Sequence, residues 1–110
     1  MVRLDDVCDD LGITQRCVIK IDVQGYELEV MQGARKVLAQ DCRIISEFWP
    51  WGMYLHGIDP MEYIDFMTSM GYAFFELGGK PASQKYLSRL CELGKSRRHV
   101  WDDFLIKRAA

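Results

Sequence analysis

Residues 17–27 read CVIKIDVQGYE, a run in which β-branched residues lead to an acid, a glycine and a first-turn glutamate. Val18, Ile19 and Ile21 give the start of the run the composition of a β-strand. From Tyr26 to Gln40, apolar residues recur with helical spacing on one face. Glu27 lies in the first turn of this segment, where a negative charge suits the helix dipole. The run therefore predicts a strand, a tight turn and a helix.

The segments on both sides of this unit predict further alternation of strands and helices. The predicted elements are a helix from Leu4 to Leu11, a strand at 43–48, an aromatic loop at 49–57, a helix from Pro60 that Gly71 closes, a strand at 72–77, a helix from Ser83 to Leu93 and a strand at 104–107. Asp59 is the expected N-cap of the helix that begins at Pro60. Alternating strands and helices indicate an α/β fold with parallel strands, helical crossovers and a last pair that includes an antiparallel strand.

Length and composition set limits on the class of protein. The chain of 110 residues is enough for one domain, and its 49% hydrophobic and 27% charged residues are ordinary globular values. A formal net charge of −2 argues against a nucleic-acid partner. There is no apolar run of the roughly 18–20 residues that a membrane span needs. We therefore expect a cytoplasmic protein without a membrane partner.

The four cysteines, Cys8, Cys17, Cys42 and Cys91, form no CxxC pair and have no histidine at ligand spacing. A zinc site needs clustered donors, so we expect no metal. A reducing compartment would keep these thiols free.

Two acids follow or end predicted parallel strands. In such sheets, ligands bind beyond the carboxyl ends of the strands, so Asp22 and Glu47 should border one crevice. Gly25 would allow a tight turn and a close approach of a ligand to the backbone. Lys20 should lie on the same strand face as Asp22, and we expect it to pair with Asp22 or Glu47. That pair would either fix the strand register or position a ligand, and spacing alone leaves both open.

Six short motifs, in consistent order over residues 3–77, carry a family resemblance. They are L-D-D at 4–6, K-I-D-V-Q-G-Y-E at 20–27, V-M at 30–31, G-A at 33–34, I-S-E at 45–47 and M-G-Y at 70–72. Together they resemble the FkbM family of methyltransferases. Gln24 is a departure, because that family usually has Glu at this position.

The resemblance implies a class I, Rossmann-like methyltransferase that uses S-adenosylmethionine to methylate a hydroxyl on a sugar or natural-product acceptor. It implies that Asp22 and Glu47 are catalytic, and that Asp22 and Gly25 lie at the cofactor. His56 would be a candidate base, unless it is an ordinary surface histidine. Trp49, Trp51 and Tyr54 would line the acceptor site, unless they pack the aromatic loop onto the sheet.

The glycine-rich turn of such enzymes, and the acid that binds the cofactor ribose, are not found in this sequence. Residues 1–110 are therefore expected to form the C-terminal half of the domain, without the Gly-rich cofactor-binding half and inactive alone. Open sheet edges would favour a homodimer or pairing with the missing N-terminal half. The alternative is a non-catalytic α/β module that binds itself or another partner.

Overall fold

A computed structural model describes residues 3–11 and 17–109. Within these ranges the chain forms a mixed α/β structure. Its elements are α1 (Leu4–Asp10), β1 (Cys17–Ile21), α2 (Glu27–Gln32), α3 (Arg35–Leu38), β2 (Cys42–Phe48), α4 (Pro50–Leu55), α5 (Pro60–Ser69), β3 (Tyr72–Glu76), α6 (Gln84–Gly94) and β4 (Asp102–Arg108). The predicted order of strands and main helices is confirmed.

The four strands form one sheet in the order β1-β2-β4-β3. β1 and β2 are parallel, with Cys17 opposite Cys42 and Ile21 opposite Ser46. β4 is antiparallel to both of its neighbours, β2 and β3. The parallel pair and the antiparallel last strand were predicted. The sequence did not predict that β4 would lie between two strands that precede it in the chain.

Burial alternates along the strands, because successive side chains point to opposite faces of a sheet. In β2 the side chains of Cys42, Ile44, Ser46 and Phe48 are buried, whereas Arg43 and Ile45 are exposed. The buried face carries a cluster of four aromatic rings, Phe48, Tyr63, Phe74 and Phe104, whose contacting centroids lie 5.7–6.5 Å apart. The hydroxyl groups of Ser46 and Tyr63 are 2.9 Å apart, which satisfies both inside the core.

We call the opposite side of the sheet the open face, defined by Val18, Lys20, Arg43, Ile45, Glu47, Phe75, Asp103, Leu105 and Lys107. These residues face each other across the strands, for example Lys20 with Ile45 and Glu47 with Asp103. Val18 keeps 73% of its surface exposed, and Leu77, just beyond β3, keeps 58%. The described helices therefore cover one face of the sheet and leave the other in contact with solvent.

The helix predicted from Tyr26 to Gln40 is two helices, α2 and α3, and the break falls at Gly33 and Ala34. The second helix begins where a side chain from α1 caps it. The Asp5 carboxylate accepts hydrogen bonds from the backbone N–H groups of Lys36 (3.0 Å) and Val37 (2.9 Å). The backbone N–H of Asp5 also donates to the carbonyl of Gly33. A glycine with poor helix propensity and a cap from elsewhere in the chain together account for the break.

The expected aromatic loop at 49–57 is also partly wrong, because residues 50–55 form α4. Proline is favoured at the first position of a helix, because a backbone N–H at that position would have no hydrogen-bond acceptor within the helix. Pro50 therefore begins a helix directly after β2. The Asp59 cap of α5 is confirmed, because its side chain accepts a hydrogen bond from the N–H of Met61 at 3.0 Å.

In the part of the chain that the structure describes, the helices are all too short or too polar to cross a bilayer.

Candidate functional site

Three carboxyl groups meet where β1 and β2 end and β4 begins. Asp22 follows the last residue of β1, and Glu47 is the next-to-last residue of β2. Asp103 is the antiparallel partner of Glu47 on β4. A pocket of about 360 Å³ lies here, lined by Lys20, Ile21, Asp22, Ile45, Glu47, Leu77 and Asp103. The structure thus brings together Asp22 and Glu47, as the parallel arrangement of their strands predicted.

Glu47 is a half-buried carboxyl group of this pocket. Partial burial raises its pKa above the ordinary value, because charge is poorly solvated there. The nearby carboxylates of Asp22 and Asp103 raise the pKa further by like-charge repulsion. Such a group takes up a proton more readily than a free glutamate does, which is the property of a general base.

Asp22 is exposed, and its orientation is set by its neighbour Gln24. The Gln24 side-chain Nε2 donates a hydrogen bond of 2.7 Å to Asp22 Oδ1. Gln24 has a φ of 53°, a left-handed conformation that is uncommon for a residue with a side chain. A glutamate at this position would have no donor for Asp22. Gln24, at a position where the FkbM family that the sequence resembles usually has Glu, therefore supplies a hydrogen-bond donor to Asp22.

The turn after Asp22 is held from inside by Glu27. Its carboxylate accepts hydrogen bonds from the backbone N–H groups of Gly25 (3.0 Å) and Val23 (3.2 Å). The side chain is 1% exposed, and this burial raises the pKa of Glu27 despite the hydrogen bonds that lower it. Glu27 therefore fixes the backbone of the turn that follows Asp22. Its position in the first helical turn did not predict this role.

Gly25 has a φ of 102°, as expected for a tight turn. The space beside it is filled by protein, however. A Cβ at Gly25 would lie 2.6 Å from the carbonyl carbon and oxygen of Gly52 in α4. The absence of a side chain thus lets α4 pack against the turn, and it leaves no room there for the ligand approach that the sequence suggested.

Lys20 lines the pocket but does not pair as predicted. Among the residues that the structure describes, Lys20 forms no ion pair with Asp22 or Glu47. The prediction treated Lys20 as a charge among apolar strand residues that needs a partner. Because Lys20 projects from the open face and is exposed, water solvates its ammonium group.

The other predicted site residues lie outside the lining of this pocket. His56 is exposed, stacks on Tyr26 with ring centroids 3.9 Å apart and has Nε2 3.3 Å from the carbonyl oxygen of Gln24. Trp49 Nε1 donates to the carbonyl of Arg98 at 2.7 Å, and the Tyr54 hydroxyl donates to the carbonyl of Cys91 at 3.0 Å. Trp51 is half-buried in α4. For Trp49 and Tyr54, these contacts favour the packing interpretation over an acceptor pocket.

Asp103 is the pocket residue that sequence reasoning missed, because the last strand was predicted to begin only at Phe104. The sequence pattern that could have indicated it is the pair of acids at 102–103, directly before the apolar run of the last strand. An antiparallel strand begins at the edge where its parallel neighbours end, so acids at its start belong at the site. Among the described residues, no group of three or more side chains is placed to hold a metal ion.

A comparison with protein-family models matches residues 1–74 to the methyltransferase FkbM domain. The matched segment includes Asp22, Gly25 and Glu47, whereas Asp103 lies beyond it. No curated protein and no solved structure matches the chain.

Proposed function

The chain belongs to the methyltransferase FkbM domain family, and on that premise we propose that it serves S-adenosylmethionine-dependent methylation of a hydroxyl on a sugar or natural-product acceptor. The observation that carries this proposal is the pocket at the strand ends, where Asp22, Glu47 and Asp103 meet. In this proposal Glu47 accepts the proton of the acceptor hydroxyl, because its pKa is raised above the ordinary value of a glutamate. Asp22 is oriented by the hydrogen bond that it accepts from Gln24.

The residues of the pocket fit the cofactor that the family implies. S-adenosylmethionine supplies an activated methyl group on a positively charged sulfur. Three carboxylates around one pocket favour a cation there, and Asp22 and Asp103 would hold it. Gly25 is not assigned to the cofactor, because the backbone of Gly52 occupies the space beside it.

We also propose that residues 1–110 are the C-terminal half of a Rossmann-like domain whose Gly-rich half binds most of the cofactor. The sheet supports this, since two parallel strands joined through helices and an antiparallel last strand are what that half of the fold predicts. β1 is an edge strand here and offers its free edge to a further strand. The 110-residue chain would then be inactive alone, since methyl transfer needs both reactants held in one place.

The test is a titration of the 110-residue chain with S-adenosylmethionine, followed by calorimetry and by amide NMR spectra. We expect a dissociation constant of about 1 mM or weaker, which corresponds to about 4 kcal/mol of binding free energy. At high ligand concentration, the amides of Asp22, Glu47 and Asp103 should shift most. The variants D22N and D103N should reduce these shifts, whereas the control D65N, on an exposed position of α5, should not.

Two outcomes would contradict different parts of the proposal. Micromolar binding by this chain alone would overturn the half-domain proposal, because a complete cofactor site would then exist within it. Shifts centred elsewhere, or an equal effect of D65N, would overturn the assignment of the pocket.

A second candidate function is a non-catalytic module that binds a second copy of itself. The observation that favours it is the open face, which exposes Val18 and lies next to the exposed Leu77. Exposed apolar side chains on an uncovered sheet favour association. Methyl transfer after addition of the Gly-rich half from a related enzyme would argue for the first function. A stable dimer that shows neither methyl transfer nor binding of S-adenosylmethionine even after that addition would argue for the second.

A further inference from the structure

Two cysteines lie side by side at the amino ends of the parallel strands, away from the carboxylate pocket. Cys17 is the first residue of β1 and Cys42 the first of β2, and the two are direct partners in the strand register. Their Sγ atoms are 2.7 Å apart. Both are free thiols. Their side chains point to the same, helix-covered face of the sheet.

The positions of the two backbones suit a covalent link. Neighbouring strands in a sheet lie about 4.7–4.9 Å apart, and disulfides join Cα atoms about 4.4–6.8 Å apart. Two partners in register therefore need no movement of the strands to be joined. Cys42 is also held in place by two hydrogen bonds. Its backbone N–H donates to the Tyr72 hydroxyl at 3.3 Å, and its Sγ donates to the Val37 carbonyl at 3.3 Å.

The two thiols differ in their access to solvent. Cys17 is half-buried and lines an opening of about 220 Å³ together with Val18, Asp41 and Arg43. Cys42 is completely buried, and burial raises its pKa to about 12. A small reagent from solvent therefore reaches Cys17 first, and Cys42 lies behind it as the thiol that can react second.

We propose that Cys17 and Cys42 form an oxidative modification site that a peroxide converts into a disulfide. The Cys17 sulfur attacks one oxygen of the peroxide, so that an S–O bond forms, the O–O bond breaks and one water leaves. The Cys42 sulfur then attacks the Cys17 sulfur, the S–O bond breaks, and the hydroxyl leaves as a second water with the Cys42 proton. Two thiols and one hydrogen peroxide thus give one disulfide and two waters.

The remaining cysteines provide a matched comparison within the same chain. Cys91 is buried, and its Sγ contacts the Met61 Sδ at 3.6 Å instead of a second cysteine. Cys8 is buried in the core on α1. The proposal therefore assigns the reaction to one pair of cysteines and leaves Cys8 and Cys91 reduced.

The experiment treats the folded chain with hydrogen peroxide and then counts thiols after unfolding. We expect the four free thiols of the chain to fall to two, with a mass loss of about 2 Da for the two hydrogens removed. Proteolysis without reduction should yield one linked pair of peptides that contains Cys17 and Cys42. The double variant C8S/C91S should lose both of its thiols, whereas C17S and C42S should each form no intramolecular disulfide.

Several results would overturn the proposal. These are four thiols retained at peroxide doses that oxidise free cysteine, a linked peptide that contains Cys8 or Cys91, or cross-linked dimers in place of the intramolecular bond. The peptide map of the unmodified sequence needs no substitution, so it decides the question even if C42S, at a buried position, does not fold. Circular dichroism of C17S and C42S then shows whether their lack of a disulfide comes from the missing sulfur or from a lost fold.

Discussion

In the turn after β1, single residues have tasks that their position in the sequence reveals only in part. Gly25 is recognisable as a residue for a tight turn, and its φ of 102° agrees. The backbone of Gly52 lies beside it. Gly52 belongs to α4, which was predicted from the sequence to be a loop. Glu27 reads as a helix-dipole acid, yet its carboxylate is buried and accepts backbone hydrogen bonds. Local conformation was predictable here, and the tertiary neighbour was not.

Gly25 offers a test that separates backbone strain from close packing. Gly79 has a similar φ of 96°, but nothing lies within 4 Å of a Cβ built on it. We expect Gly79→Ala to lower the free energy of unfolding by about 1–3 kcal/mol, the usual cost of a strained φ. Gly25→Ala should cost more, and Gly25→Val more still, because a side chain there displaces α4. Urea denaturation measures the difference, and equal losses at the two glycines would show that α4 does not press on the turn.

Glu47 should make stability depend on pH. Its pKa is raised in the folded protein, so the folded state binds more protons than the unfolded state between the ordinary value of 4.5 and the raised value. Stability from this group is therefore fully present below 4.5 and falls as the pH rises through that window. Glu47→Gln cannot ionise, so we expect it to melt at a higher temperature than the unmodified chain at about pH 7 and to match it at about pH 4.

The control for this prediction is Asp65→Asn, at an exposed position in the middle of α5. It removes one negative charge outside the pocket and should leave the difference between the two pH values unchanged. If Asp65→Asn and Glu47→Gln behave alike, net charge explains the effect and the pocket does not.

At the scale of elements, the sequence predicts those whose signals are local. The caps at Asp59 and Ser83 lie beside the helices that they begin, and both helices were predicted close to their observed bounds. The break between α2 and α3 depends instead on Asp5, which lies some thirty residues earlier in the chain. No local pattern contains that contact. Asp5 lies in the first turn of its own helix, α1, yet its carboxylate caps another helix.

Asp5 can be tested against its neighbour Asp6. Asp5→Ala should lower the free energy of unfolding by about 1 kcal/mol, the usual loss when a helix N-cap is removed. Asp6 forms an exposed ion pair with Arg3 at 3.2 Å, and such pairs contribute little. Asp6→Ala should therefore change the melting temperature much less, and a larger loss for Asp6 than for Asp5 would contradict the cap.

At the scale of the whole molecule, the sequence predicts only those residues of the candidate site whose strands are neighbours both along the chain and in the sheet. Asp22 and Glu47 end successive parallel strands, so their meeting could be expected. Asp103 comes to the same pocket because β4 enters the sheet next to β2, and this strand order depends on contacts distant in sequence. The prediction for Lys20 was wrong for a related reason, because no local pattern shows that one face of the sheet is open.

The open face should make the 110-residue chain self-associate. Burial of exposed apolar side chains and pairing at the free edge of β1 both favour a dimer. Sedimentation velocity over a range of concentrations should show a dimer or larger species, and Val18→Lys should shift the chain toward monomer. Leu55→Lys, at an exposed position of α4, is the matched control and should not. A clean monomer at high concentration, with cooperative melting, would count against the prediction.

The position of β4 also has a consequence for synthesis on the ribosome. β4 is the last of the described strands in chain order, yet it lies between β2 and β3, and β3 has no other neighbour in the described sheet. While residues 102–108 are still in the exit tunnel, β2 and β3 have an empty place between them and cannot pair through it. The nascent chain therefore carries unpaired strand edges until residues 102–108 have left the tunnel, and the sheet closes only after β4 has emerged.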